Sequence, residues 1–421
     1  MLSEPQQPLP IVVQQHVEEA AILRSVRSVL VRAADVNLRD LGRLDERIAA
    51  HLDGVAIAGD YASRLCSAAL ERPRTGEVFT AAVRALDEKN ERQLAALFAL
   101  VGAVPEAQSG LRSAFGWVAA SQLRGTVATL LASAESLDRL VGIAACAMHD
   151  VDPGTPLLHA FNDPDPQLRA RAFRAAGDLG RHDLLLACDS GCDDEDREVR
   201  FCAARSAIFL GRTKKGIRTL ETFAATADSF QSPALCILVK TIGLPAAHEL
   251  LKGIAQKSAS KRLLIEGAGA AGDAQYLPWL IGQMSDPALA RVAGESFSTI
   301  TGIDFAELNL NKDAPDDFEA GPTDEAEEDD VAMDRDDGLV WPDQERVQQW
   351  WNSNQQRFRS GTRHFMGAIP TREHCFGVLK EGYQRQRSVG AEYLCLLRPG
   401  TPLFNVCAPA WRQKQLLQKM S

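Results

Sequence analysis

Apolar and polar residues along this chain recur with the period of an α-helix, and the helices recur in turn. The stretch NDPDPQLRARAFRAAGDLG (Asn162–Gly180) matches CDDEDREVRFCAARSAIFLG (Cys192–Gly211) at an offset of 31 residues. Asp163, Asp165, Leu168 and Arg169 align with Asp194, Asp196, Val199 and Arg200. Ala172, Arg174, Ala176, Leu179 and Gly180 align with Ala203, Arg205, Ala207, Leu210 and Gly211. Each copy opens on an acidic turn that can cap a helix N-terminus and ends on a glycine that can stop the helix. Between the copies, HDLLLAC supplies a shorter partner helix whose Leu186 falls 31 residues before Ile217 in GIRTLETF. One unit is then a helical hairpin with an apolar face it cannot bury by itself. Stacking identical units buries it.

Weaker units follow the same phase. AAHELLKGIA precedes KRLLIEGAGAAGD, and AQYLPWLIGQMSD precedes PALARVAGESFSTITG; upstream, RQLAALFALVGA and SLDRLVGIAACAMHD read as degenerate copies. Ahead of them, Gln15–Val31 and LRDLGRLDERIAAHLDG each form an amphipathic helix. Near the other end, Pro342 suits a first helical turn, and Val347, Trp351 and Phe358, with Trp350 beside them, form one apolar stripe. EHCFGVLKEGYQ and RQRSVGAEYLCLL make a last helical pair. The repeats resemble HEAT repeats in the short form also found in bilin-lyase-like proteins. The resulting expectation is an all-α, HEAT-like α-solenoid of stacked hairpins. Residues 1–74 would be a helical cap, 75–312 the solenoid, 313–338 an acidic flexible linker, and 339–421 a helical segment packing on or extending the solenoid.

Composition agrees with closely packed helices: 421 residues are 45% hydrophobic but only 6% aromatic. Charge is distributed unevenly. Residues 313–337 hold thirteen carboxylates and one arginine, −12 against a net −10 for the chain, so the remainder carries about +2. Such a strip reads as a disordered loop or linker, removable without loss of the fold. A near-neutral body is a poor match to duplex phosphates, which argues against nucleic acid as partner. The longest apolar run, Leu94–Val104, falls short of the roughly 18 to 20 residues a membrane span needs. The opening MLSEPQQPLP lacks a basic n-region. Nine cysteines, an odd number without regular spacing, read as reduced core thiols. Together these features predict a cytoplasmic protein without membrane insertion.

Four sets of residues invite a chemical reading. Arg169 and Arg200, with Asp165 and Asp196, are either a row of ligand-binding charges or an Asp–Arg ladder tying adjacent turns together, and the ladder is the simpler account. Cys146, His149 and Asp152 offer a nucleophile, a base and an acid, yet Cys146 on its helix points toward the core. Cys188 and Cys192 with His182 lack a fourth metal ligand. Trp350 and Trp351 either grip a partner or dock their own helix on the solenoid. GAGAAG has no preceding strand and is better explained by tight helix packing than by phosphate binding. No catalytic, metal-binding or cofactor-binding residue is expected. Trp350, Trp351, Arg169 and Arg200 are the candidates for partner contact.

Beyond the repeats, six stretches resemble a bacterial family of HEAT-repeat proteins encoded beside type VI secretion genes. They are HLDGVAIAGD, ACAMHDVDPG, AARSAIFLG, FSTITGID, LVWPDQERVQQWW and QRQRSVGAEYLCLL, spread over roughly residues 10 to 415. The resemblance implies a non-catalytic scaffold that helps load or assemble a secreted effector or a spike (PAAR-type) component. An immunity-type protein neutralising a toxin would show the same features. A HEAT-repeat enzyme or enzyme partner, of the bilin-lyase-like or DNA-glycosylase-like kind, would need a cleft of ionisable groups or a basic concave stripe.

Overall fold

The computed structural model describes residues 9–257, 260–316, 318 and 334–420. It is all-α, built of stacked helical hairpins. The chain divides into two compact units: Met1–Arg32, Val36–Arg181 and Phe404–Ser421 form the first, and Ala33–Asp35 with His182–Leu403 the second.

The first unit contains α1 (Pro10–Leu30), α2 (Leu38–Ile57), α3 (Gly59–Ala69), α4 (Thr75–Asp87), α5 (Glu91–Ala103), α6 (Gln108–Trp117), α7 (Thr126–Leu131), α8 (Ser136–Met148), α9 (Thr155–Ala160) and α10 (Pro166–Asp178). Helices α1, α4, α6, α8 and α10 pack one on the next in a row, and the helices between them lie against that row. Row helices must bury most of their circumference, and α4 is buried at every position from Val78 to Leu86. Two glycines let the row close up. A Cβ on Gly76 would lie 2.1 Å from the Ala21 carbonyl oxygen, and one on Gly110 would lie 2.3 Å from that of Thr75. Any larger residue would push these helices apart.

The second unit continues the alternation with α11 (Leu185–Gly191), α12 (Arg197–Gly211), α13 (Lys214–Ala224), α14 (Gln231–Thr241), α15 (Leu244–Gln256), α16 (Lys261–Ala271), α17 (Leu277–Gln283) and α18 (Ala290–Thr301). Here α12, α14, α16 and α18 form the row. Then come the short strands β1 (Asn311–Lys312) and β2 (Trp341–Pro342), and α19 (Gln344–Asn354), α20 (Arg372–Glu381) and α21 (Gln384–Leu397). A strap, residues 361–368, crosses the ends of three row helices. The Arg363 guanidinium donates to the carbonyls of Val239, Lys240 and Ile242 at the end of α14, and to that of Ala271 on α16. The His364 amide donates to Gly272 O (2.7 Å), and those of Met366 and Gly367 donate to Thr299 O and Ile300 O (2.7 and 3.1 Å). Terminal helix carbonyls lack partners within their own helix, and the strap provides the missing donors.

The acidic stretch begins and ends within the second unit. β1 and β2 pair antiparallel, with Asn311 opposite Pro342, so the ends of residues 313–340 are neighbours. The Asp343 amide also bonds Leu310 O at 2.8 Å. The expected flexible segment 313–338 lies largely outside the described residues, but its last residues are held firmly. Arg262 on α16 forks onto the Asp336 carboxylate, and Arg291 on α18 bonds the Asp334 carboxylate and Asp336 O. Asp336 is buried at 3% exposure. Removing the whole strip would take the Asp334 carboxylate from Arg291 and leave Arg262 with Glu266 alone.

The end of the chain returns to the first unit as α22 (Ala410–Met420), which packs on α2. The fixing point is a buried ion pair. Arg27 Nε donates to Asp45 Oδ1 at 2.6 Å, and its two terminal nitrogens donate to Cys407 O and Ala408 O at 3.0 Å. Asp45 Oδ2 accepts the Ala410 amide at 2.7 Å. Arg412 then bonds Gly116 O at 2.8 Å. Residues 404–421 thus belong with the N-terminal helices rather than with the rest of the segment 339–421.

Candidate functional site

Each repeat arginine bonds the turn that starts its own helix, and Arg139 reaches Asp163 of the next repeat as well. Arg169, the fourth residue of α10, donates through Nη1 to Asp163 O (2.8 Å) and Pro164 O (3.1 Å). Arg200, the fourth residue of α12, donates identically to Asp194 O (2.7 Å) and Glu195 O (2.9 Å). A third copy sits at Arg139, the fourth residue of α8, which reaches Ser133 O and Ala134 O at 2.8 and 2.6 Å. Each arginine clamps the turn that starts its own helix. Asp165 and Asp196, expected to face the arginines, instead cap the helix N-termini, accepting from the Gln167 and Val199 amides at 2.9 and 3.0 Å. The acid of the ladder is two residues earlier. Asp163 bonds Arg139 and Ser136, and also accepts the Asp165 amide at 3.0 Å. Burial acts to raise its pKa, but these donors outweigh it and hold the carboxyl below its ordinary value.

Trp351 is seated in the core of the second unit at 8% exposure, with Val347 and Phe358. Its ring lies 5.9 Å from that of Phe358, and Trp350 lies half-buried, 5.9 Å from Phe297. The stripe therefore anchors α19, and the Trp351 indole does not present a grip to a partner. Among Cys146, His149 and Asp152, the thiol is buried and the other two are bonded elsewhere. Burial pushes the Cys146 thiol up to about 11. The His149 ring bonds Phe115 O at 2.8 Å, and Asp152 accepts from Gly154 N and Arg181. Cys188 and Cys192 are buried, with thiols raised to about 12 and about 11 by burial, while His182 bonds Leu210 O at 2.7 Å. No group of three or more potential metal ligands is found among the described residues.

Sequence reasoning missed a cavity of about 380 Å³ inside the second unit. Its walls come from α14, α16, α18 and α21, with the strap and residues 338–340. Two ion pairs frame it: Lys240 with Glu392, and Arg385 with Glu295 at 3.0 Å. Tyr383 donates to Asp304 at 3.2 Å. Burial raises Glu295, opposed by Arg385 and assisted by the nearby carboxylates Asp336 and Glu266. Burial likewise raises the Cys236 thiol to about 11, so it is no nucleophile at neutral pH. One signal was available in the chain itself. Lys240 is the sole cation in CILVKTIG and Glu392 the sole acid in VGAEYLCLL. A lone charge in an apolar run must find a partner.

Residues 154–232 match the family model of HEAT repeats. That span covers α9 to the beginning of α14, where the clamped arginines recur. No curated protein matches the chain. A helical repeat scaffold of this kind is suited to protein interaction, since stacked hairpins leave long continuous surfaces. Among the described residues, no helix is long and apolar enough to cross a membrane.

Proposed function

We propose that the protein is a non-catalytic, cytoplasmic adaptor that binds another protein through its repeat surface, assisting the loading or assembly of a type VI secretion effector or a spike (PAAR-type) component. The observation that carries this reading is the recurrence of HEAT-type hairpins whose ionisable residues close their own turns. Arg139, Arg169 and Arg200 bond loop carbonyls, Asp165 and Asp196 cap helices, His149 and Asp152 bond separate partners, and Cys146 is a buried thiol. The stretches resembling the secretion-associated family supply the partner class. The test is to purify the chain with the effector and the spike component encoded beside it and to follow complex formation by size-exclusion chromatography with light scattering. A stoichiometric complex with either is the expected result. Both proteins remaining separate from it at micromolar concentration would overturn the reading.

A further inference from the structure

The cavity walls hold two deeply buried donor groups with hydrogen-bonding capacity to spare among the described residues. Lys240 is 6% exposed, and its ammonium group, with three protons to donate, bonds Glu392 alone among the described residues. Tyr393, one position after Glu392, is 4% exposed, and its hydroxyl has no hydrogen-bond partner among the described residues. Its ring is fixed against Phe365 at 5.0 Å. Buried donors are normally paired, so an ammonium with protons to spare and a hydroxyl without a partner among the described residues, on one cavity wall, favour an acceptor there.

Both groups keep their protons at neutral pH. Burial acts to lower the Lys240 pKa, but the adjacent Glu392 outweighs it and the net shift is upward. Burial raises the Tyr393 phenol, although Arg363 and Lys240 oppose it. Around the Tyr393 phenol, Lys240 and Arg363 stand against Glu392, one positive charge over, while farther along the wall Glu295 is paired with Arg385 and Asp304 accepts from Tyr383. Glu266, also on the wall, is engaged by Arg262 at 3.2 Å. A monoanion balances such a corner, whereas a phosphate dianion would leave excess negative charge beside Glu392. Away from the donors, the lining includes Phe305, Leu339, Val340, Phe365, Met366 and Val389. The volume falls within the range of small-molecule pockets, about 300–1,000 Å³.

We propose that this cavity binds a monocarboxylate with an apolar body, its carboxylate accepting from the Tyr393 hydroxyl and the Lys240 ammonium. The source is a free carboxylic acid or the last residue of a polypeptide, which share this chemistry. The site stands independently of the adaptor reading. Isothermal titration calorimetry of the full chain with N-acetyl-L-leucine, N-acetyl-L-phenylalanine and the amide of each tests it. An acid should bind saturably and its amide about tenfold more weakly or worse. Tyr393→Phe should weaken the acid about fivefold while leaving the melting temperature unchanged. Because Lys240→Met alone would strand Glu392, the double variant Lys240→Met with Glu392→Gln is the second check, and it should abolish the preference for acid over amide. A hexapeptide ending in leucine, with free or amidated C-terminus, separates the sources. Tight binding of its free form points to a chain terminus, and binding of the acetylated amino acids alone points to a small acid. Absence of heat from every carboxylate up to about 10 mM, equal affinity for acid and amide, binding of inorganic phosphate as tight as that of the acids, or unchanged affinity in Tyr393→Phe would each overturn the proposal.

Discussion

Two buried ion pairs hold opposite lessons. In the first unit, Arg27 and Asp45 exhaust each other: the guanidinium also grips two carbonyls of residues 407–408, and the carboxylate also accepts the Ala410 amide. In the second unit, Lys240 and Glu392 meet on a cavity wall, with ammonium protons left over and a tyrosine hydroxyl that has no partner among the described residues. The first pair is closed and joins the chain's end to its beginning. The second is open and faces a space. Burial alone does not separate a structural charge from a functional one; the completeness of its bonding does.

Five variants would break or sharpen this contrast. The largest effect belongs to Asp45→Ala, which leaves Arg27 buried without its counter-ion. It should cost about 3–5 kcal/mol in chemical denaturation. Next comes Asp336→Ala, which frees the Arg262 fork and should cost about 2 kcal/mol, whereas deleting residues 319–333 alone should change stability by no more than about 0.6 kcal/mol per halving of loop length. Asp163→Asn should cost about 1 kcal/mol at neutral pH. The same variant should flatten the acid limb of the stability curve. The Asp163 carboxyl titrates below its ordinary value in the fold, so its contribution is complete above about pH 4 and disappears as pH falls through the lowered value. Asp334 is lowered likewise, since Arg291 outweighs its burial, and adds to the same limb. Smallest of all, Tyr393→Phe removes a hydroxyl that bonds none of the described residues and should shift stability by less than about 0.5 kcal/mol.

How much of this was legible in the chain depended on distance along it. The hairpins could be read because Asp163, Arg169 and Gly180 recur 31 residues later, and helix starts and stops are local. Local bonding also explains why the arginine was noticed, though its acid was misassigned by two residues: Asp163 and Asp165 are equally acidic on paper, and only backbone geometry makes one a rung and the other a cap. The acidic strip misled for the opposite reason. Asp334 and Asp336 resemble the carboxylates before them in composition, yet they pair with Arg291 and Arg262, 43 and 74 residues away. Lys240 and Glu392 are 152 residues apart. Each was conspicuous alone, but nothing in the sequence joined them, because the row helices bring them together only after the stack and the strap have formed.

The most direct test compares the thermal unfolding of Asp45→Ala and Tyr393→Phe with that of the parent chain under identical conditions. A closed pair and an open corner predict a transition about 10 °C lower for Asp45→Ala and an unchanged one for Tyr393→Phe. Equal losses in the two variants would mean that Tyr393 is bonded into the fold as tightly as Asp45, and the distinction drawn between the two regions would be wrong.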